Sequence, residues 1–185
     1  MYRLTQILLR VFIALLIIIL VTTVCFGIIY RLFPSKHSDI INKYCGEFDV
    51  SPHLVMALIK AESNFDENAV SHAGAKGLMQ LTDETFEYCT NVLGTSFSSE
   101  DIFNPEANIS AGVWYISYLL EKYDGNITNA VAAYNAGSAN VDKWLNDTSL
   151  SPDGKTLTNI PYGETKRHCD KIKAYSKLIN FFTNR

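Results

Sequence analysis

No acidic residue occurs before Asp39 in this 185-residue sequence, and between Val11 and Tyr30 there is no charged residue of either sign. That double absence excludes a solvated surface helix for the first part of the chain. About 20 consecutive apolar residues are what an α-helix needs to cross the hydrocarbon core of a bilayer, and VFIALLIIILVTTVCFGIIY supplies them. A removable secretory signal has a shorter apolar region, about 7 to 15 residues, ending at a small-residue cleavage site. No Ala-x-Ala follows this run, and Thr22, Thr23 and Val24 do not form a lipobox ahead of Cys25. The expected organisation is a cytoplasmic terminus over 1–10, an uncleaved transmembrane anchor over 11–30, a linker over 31–37 and one domain over 38–183. The orientation is undecided by charge, because Arg3, Arg10 and the amino terminus on one side balance Arg31, Lys36 and Lys43 on the other.

The remainder lacks a basic excess. From Lys36 onward there are 13 basic residues against 19 acidic ones, a net charge of −6, which excludes nucleic acid as a natural partner. The tail from Glu164 is locally basic, as a solvated helix face often is. Metal-binding spacing is missing as well: His37, His53, His72 and His168 are scattered, and Cys45, Cys89 and Cys169 match no zinc pattern. Neither a cofactor nor a metal is expected. The three cysteines are compatible with one disulfide plus a free thiol, or with three reduced thiols.

No run of alternating β-branched residues is long enough to build a sheet, so the expected fold class is all-α. Ile40, Ile41, Tyr44, Cys45 and Phe48 form one apolar face. Ser51-Pro52 then opens a helix to about Ser63 that is apolar on most of its circumference, the mark of a core helix. Asn104-Pro105 opens another, with Ile109, Val113, Ile116, Leu120 and Tyr123 inward. Further helices are expected over 128–136, stopping at Gly137, over 138–145, and from about Gly163, where Ile172, Tyr175, Ile179 and Phe182 dock the last helix. Residues 147–161, rich in Ser, Thr, Asp, Gly and Pro, read as a surface loop.

One carboxylate stands in an unusual place. Glu62 lies where the core helix gives way to the polar Ser63-Asn64, which would place its carboxyl at the edge of a cleft with apolar walls. Apolar surroundings disfavour the charged form of a carboxyl, and a general acid must hold its proton near neutral pH. Downstream, Gly74-Ala75-Lys76-Gly77-Leu78-Met79-Gln80 joins two permissive glycines to a glutamine in an apolar stretch, a loop that lets backbone approach a ligand.

Together the Glu62-Ser63-Asn64-Phe65 block, the Gly74 to Gln80 block, Ala133-Tyr134-Asn135-Ala136-Gly137, and Ile160-Pro161 followed by Glu164-Thr165 resemble, in order and spacing, the soluble lytic transglycosylase domain family. That family is related in fold to goose-type lysozyme. Asn104-Pro105 with Gly112 is a fifth, softer match, and the resemblance covers nearly all of 38–183. It implies that Glu62 is the catalytic acid, that Ser71, Gln80 and Asn135 line the sugar cleft, that Tyr134 hydrogen-bonds near the scissile bond, and that Glu164 assists from the last helix. Two positions depart from the pattern: Thr82, where a methionine is frequent, and His168, where an aromatic residue is commoner.

The resemblance further implies cleavage of the β-1,4 bond between N-acetylmuramic acid and N-acetylglucosamine in peptidoglycan strands, leaving 1,6-anhydromuramic acid ends, without a cofactor. The domain would then lie on the extracytoplasmic side of the cell membrane, held there by the N-terminal helix, with envelope assembly partners unspecified. Two alternatives compete. A hydrolytic muramidase would take a second carboxylate from Asp66, Glu67 or Asp83, since ordinary glycosidases use two. A catalytically idle peptidoglycan-binding scaffold would not require Glu62 in so apolar a setting.

Overall fold

The computed structural model describes residues 2–32 and 36–183; side chains at 28–32 and 182–183 are outside the description, as are Phe33 to Ser35 of the expected linker and the predicted docking residue Phe182. The chain divides into two compact units, 1–36 and 37–185. The first holds helix α1, Tyr2–Leu32, whose described side chains are nearly all exposed. Its 31 residues span about 46 Å at 1.5 Å per residue, and its Tyr2–Gly27 portion is long and apolar enough to cross a membrane.

The second unit is all-α. It comprises α2 (Ser38–Glu47), α3 (Pro52–Glu62), α4 (Asp83–Leu93), a 3₁₀ turn (Ser99–Phe103), α5 (Pro105–Lys122), α6 (Ile127–Ala136), α7 (Ser138–Leu145) and α8 (Gly163–Thr183). Among the described residues there is no strand, only two isolated bridges, Val70 with Lys76 and Lys76 with Leu81. All four described cysteines are free thiols, which removes the disulfide alternative.

Helix α3 is the buried centre. Val55, Ala57, Leu58 and Ile59 are fully enclosed, and α8 packs along it while α2 also touches it. Ser51 stands at its N-cap position without a side-chain cap bond; its carbonyl accepts from the Leu54 and Val55 amides instead. Helix α5 is a second axis, covered by α2, α4 and α6. It opens with a cap in which Asn104 Oδ1 accepts from the Glu106 and Ala107 amides at 2.9 and 3.2 Å. The inward stripe differs by one residue from its sequence reading: Leu119 is fully buried and Leu120 only half-buried. Steps of three and four are nearly equivalent at 3.6 residues per turn, and close packing chose the former. Gly137 ends α6 and serves at once as the N-cap residue of α7. On α8, Ile172 and Ile179 are buried and Tyr175 half-buried, so the last helix docks as its periodicity predicts.

Candidate active site

The segment between α3 and α4 has little regular structure and is held from below. Asn64 and Phe65 follow the end of α3 with φ of 54° and 65°, two consecutive non-glycine residues in the left-handed region. Such residues persist only where their surroundings enforce them; here Phe65 is buried. Gly74 and Gly77 have φ of 81° and 76°, as the glycine-flanked motif predicts, and Gln80 joins them at 49°. A Cβ at Gly77 would lie 2.9 Å from the Ile102 carbonyl oxygen and collide with the Asn108 amide. Met79, fully buried, fits against Gly112 of α5 so closely that a Cβ there would overlap its side chain. The glycine pairing of the sequence is thus a packing requirement as well as a conformational one.

Asn108 of α5 is the anchor beneath this loop. Its Oδ1 accepts the Met79 N–H at 2.8 Å, and its Nδ2 donates to the carbonyls of Lys76 and Ile102 at 3.1 and 2.8 Å. The amide is 1% exposed, so its bonds form away from water, where an unmade one is costly.

Glu62 closes α3 with its side chain 15% exposed, and Oε1 lies 3.2 Å from Nε2 of His168 on α8. The imidazole is 10% exposed, and its Nε2 has no aligned hydrogen bond. Tyr134 on α6 donates its hydroxyl to the Met79 carbonyl at 2.7 Å, tying the loop to the helix. Burial, followed by the nearby Glu62 carboxylate, holds that hydroxyl well above the ordinary tyrosine range. Lys171 Nζ donates to the Ala61 carbonyl at 3.1 Å, a cation on one of the unpaired carbonyls that a helix C-terminus leaves. Burial, and then Lys171, push the amine of Lys60 down; it donates to Asn64 Oδ1 at 2.6 Å.

The other residues singled out in the sequence have these surroundings. Gln80 donates its amide to the Ala69 and Gly77 carbonyls at 3.0 and 2.9 Å. Ser71 is exposed on the same loop, its Oγ accepting from the Ala75 amide at 3.0 Å. Exposed Asn135 accepts from the Thr165 hydroxyl at 2.7 Å, a bond that pins α6 to α8. Glu164 is exposed in the first turn of α8. Thr82 caps α4 by accepting from the Thr85 amide at 3.2 Å, which accounts for a short hydroxyl residue there. The sequence reading missed the placement of His168 and Asn108. For His168 a signal existed, since it sits one turn before the docking residue Ile172 on the same helix face.

The three carboxylates that could have formed a pair with Glu62 are engaged elsewhere. Asp66 Oδ1 accepts from the Asn68 amide at 2.9 Å, Glu67 meets His37 at 3.1 Å, and Asp83 meets Lys76 at 2.7 and 2.8 Å. A groove of about 330 Å³ runs beside α8 between Leu54, Val131, Ile160 and Lys173, and Glu62 does not line it.

An all-helical domain with a single carboxylate at the end of its central buried helix has the lysozyme-like architecture. The chain belongs to the Transglycosylase SLT domain family, whose model matches residues 39–155. It is 30% identical over 157 residues to the soluble lytic murein transglycosylase of Salmonella typhimurium, covering 81% of this chain and 24% of that protein. It is also 30% identical to the membrane-bound lytic murein transglycosylase C of Cronobacter sakazakii, covering 84% of this chain and 51% of that protein. Among solved structures, an inactive mutant of the lytic transglycosylase Slt from Pseudomonas aeruginosa superposes with a TM-score of 0.73 at 28% identity, over 82% of this chain and 25% of that one. A complex of the 70 kDa soluble lytic transglycosylase with bulgecin A gives the same TM-score at 25% identity, over 83% of this chain and 25% of that one. The chain therefore spans between a quarter and a half of the length of these relatives.

Proposed function

We propose that the domain is a peptidoglycan lytic transglycosylase and that Glu62 is its single acid and base. The observation that carries this reading is the engagement of Asp66, Glu67 and Asp83 with other groups, beside one shielded carboxylate at Glu62. Two-carboxylate hydrolysis requires a partner at a defined separation; the intramolecular route does not.

In that route protonated Glu62 gives its proton to the bridging oxygen between N-acetylmuramic acid and N-acetylglucosamine. The bond from muramic C1 to that oxygen breaks, N-acetylglucosamine leaves as an alcohol, and C1 gains oxocarbenium character. The Glu62 carboxylate then takes the proton of the muramic acid C6 hydroxyl as O6 bonds to C1. The 1,6-anhydro ring closes, Glu62 regains its proton, and no water is consumed.

The remaining residues offer complementary hydrogen-bonding capacity to a glycan. Tyr134, its proton committed to Met79, presents an acceptor oxygen near Glu62. Gln80 retains its carbonyl oxygen, Asn135 its amide protons and Ser71 its hydroxyl proton, while Glu164 accepts from sugar hydroxyls at the start of α8. Helix α1 tethers the domain to the membrane in a single pass, a reading supported by its length and apolarity and by the membrane-bound relative; the extracytoplasmic side follows from the proposed substrate. Newly made strands near the membrane are then the natural substrate.

Mass spectrometry of peptidoglycan digested by the purified protein tests the reaction. Anhydromuramic ends are expected from the wild type and none from Glu62→Gln. Reducing ends would establish a hydrolytic muramidase instead, and binding without cleavage by the wild type would establish a scaffold.

A further inference from the structure

The pairing of Glu62 with His168 joins a carboxyl oxygen to a ring nitrogen at 3.2 Å. Nε2 is shut off from solvent and has no aligned hydrogen bond. A polar atom so placed is rare in a folded protein and calls for a partner that forms in another state of the site. The nearest candidate is Oε1 itself: a small rotation of either side chain would align Nε2–H on it.

Resting on the assignment of Glu62 as the acid, we propose that His168 is the positioning residue of this site. Its neutral imidazole donates Nε2–H to Glu62 Oε1, so that the proton on the second carboxyl oxygen is aimed at the glycosidic bond. The same donor then receives the carboxylate formed when that proton leaves. The working arrangement is thus an N–H donor at position 168 aligned on the carboxyl of Glu62.

Other polar groups around the pair do not supply that donor. On α3 these are Lys60, with its amine pushed down by burial, and, at the far end, His53, nine residues and about 13 Å along the helix from Glu62. On α6 it is Tyr134, shifted upward. On α8 they are Lys171, bound to the Ala61 carbonyl, and Cys169, its thiol pushed up to about 11. His37 faces Glu67, and His72 is exposed on the loop.

The test is kcat and KM for the full chain in detergent on soluble, uncrosslinked glycan strands, comparing wild type with His168→Gln, His168→Phe, His72→Gln and Glu62→Gln. Glutamine keeps an N–H donor, which phenylalanine lacks. The expected result is a kcat in His168→Gln and His72→Gln within about threefold of wild type. In His168→Phe, which loses the donor, kcat is expected to fall about tenfold or more with KM within about twofold. Should His168→Phe fail to fold, His168→Leu, which also lacks the donor, decides in its place. A kcat in the donor-free variant equal to that of His168→Gln, with Glu62→Gln inactive, overturns the role of His168 and leaves that of Glu62 standing. An active Glu62→Gln overturns both.

Discussion

Asn108 and Met79 are joined across 29 residues of sequence by a 2.8 Å bond from the Met79 amide to the Asn108 side-chain oxygen. The Tyr134 hydroxyl takes the other polar group of the same residue, the Met79 carbonyl. One buried methionine therefore has its amide held by α5 and its carbonyl by α6, and the loop that carries Ser71 and Gln80 is set by both.

Replacing Asn108 by alanine leaves the Met79 amide without its partner and takes the Asn108 donor from the Ile102 and Lys76 carbonyls, of which Lys76 keeps the Leu81 amide. The expected loss is about 2 kcal/mol of stability, given roughly 1 kcal/mol or more for each buried group left unsatisfied. Urea unfolding of the wild type and variant measures it. Kcat on glycan strands is expected to fall further than the unfolded fraction explains, because the loop loosens.

Gly77→Ala and Gly74→Ala separate conformational strain from steric collision. Both positions have left-handed backbone, but a Cβ at Gly74 meets nothing within 4 Å while one at Gly77 meets Asn108 and the Ile102 carbonyl. Gly74→Ala is expected to cost about 1 kcal/mol, the left-handed penalty alone. Gly77→Ala is expected to cost about 3 kcal/mol, because overpacking adds to it. Equal shifts in thermal midpoint would show that the collision is relieved at no cost.

Tyr134→Phe removes the bond to Met79 and the acceptor oxygen near Glu62 while keeping the ring that packs on Tyr115 with centroids 5.4 Å apart. Stability is expected to fall by about 1 kcal/mol, the usual net value of one hydrogen bond. Kcat is expected to fall by about tenfold or more with KM little changed, as for a group that aligns the reacting atoms. Steady-state kinetics beside a thermal melt distinguish the two effects.

Burial pushes the Cys45 and Cys89 thiols up to about 12. Unfolding returns them to about 8.5. Between those values the unfolded chain has released protons that the folded chain keeps, so stability is full below about pH 8.5 and falls as pH rises toward 12. In a Cys25→Ser background, urea midpoints are expected to drop between pH 8 and pH 10.5, and to drop less when Cys45 and Cys89 are both alanine. A thiol reagent at pH 8 is expected to label these two positions only after denaturation.

The helices were largely legible in the sequence because their signals are local. Ser51-Pro52 and Asn104-Pro105 start helices at the positions their chemistry dictates, and the alternation of polar and apolar residues marks the face that Ile172 and Ile179 bury. The choice of Leu119 over Leu120 was not legible, because steps of three and four from Ile116 fall on either side of the inward face and what packs there decides which is covered. The site shows the same division. Glu62 at the end of an apolar helix, and glycines at 74 and 77, are features of neighbouring residues, and sequence alone determined them.

What lies beside Glu62 is another matter. His168 is 106 positions away and reaches Glu62 only because α8 packs along α3, and Asn108 reaches the loop only because α5 lies beneath it. The withdrawal of Asp66, Glu67 and Asp83 into other contacts is likewise a matter of which partner each side chain meets in space. Sequence determined that this protein is a helical domain with one carboxylate in a place that suits an acid. Tertiary structure alone decided which ring nitrogen, amide and hydroxyl surround that carboxylate and its loop, because such contacts depend on packing between distant segments.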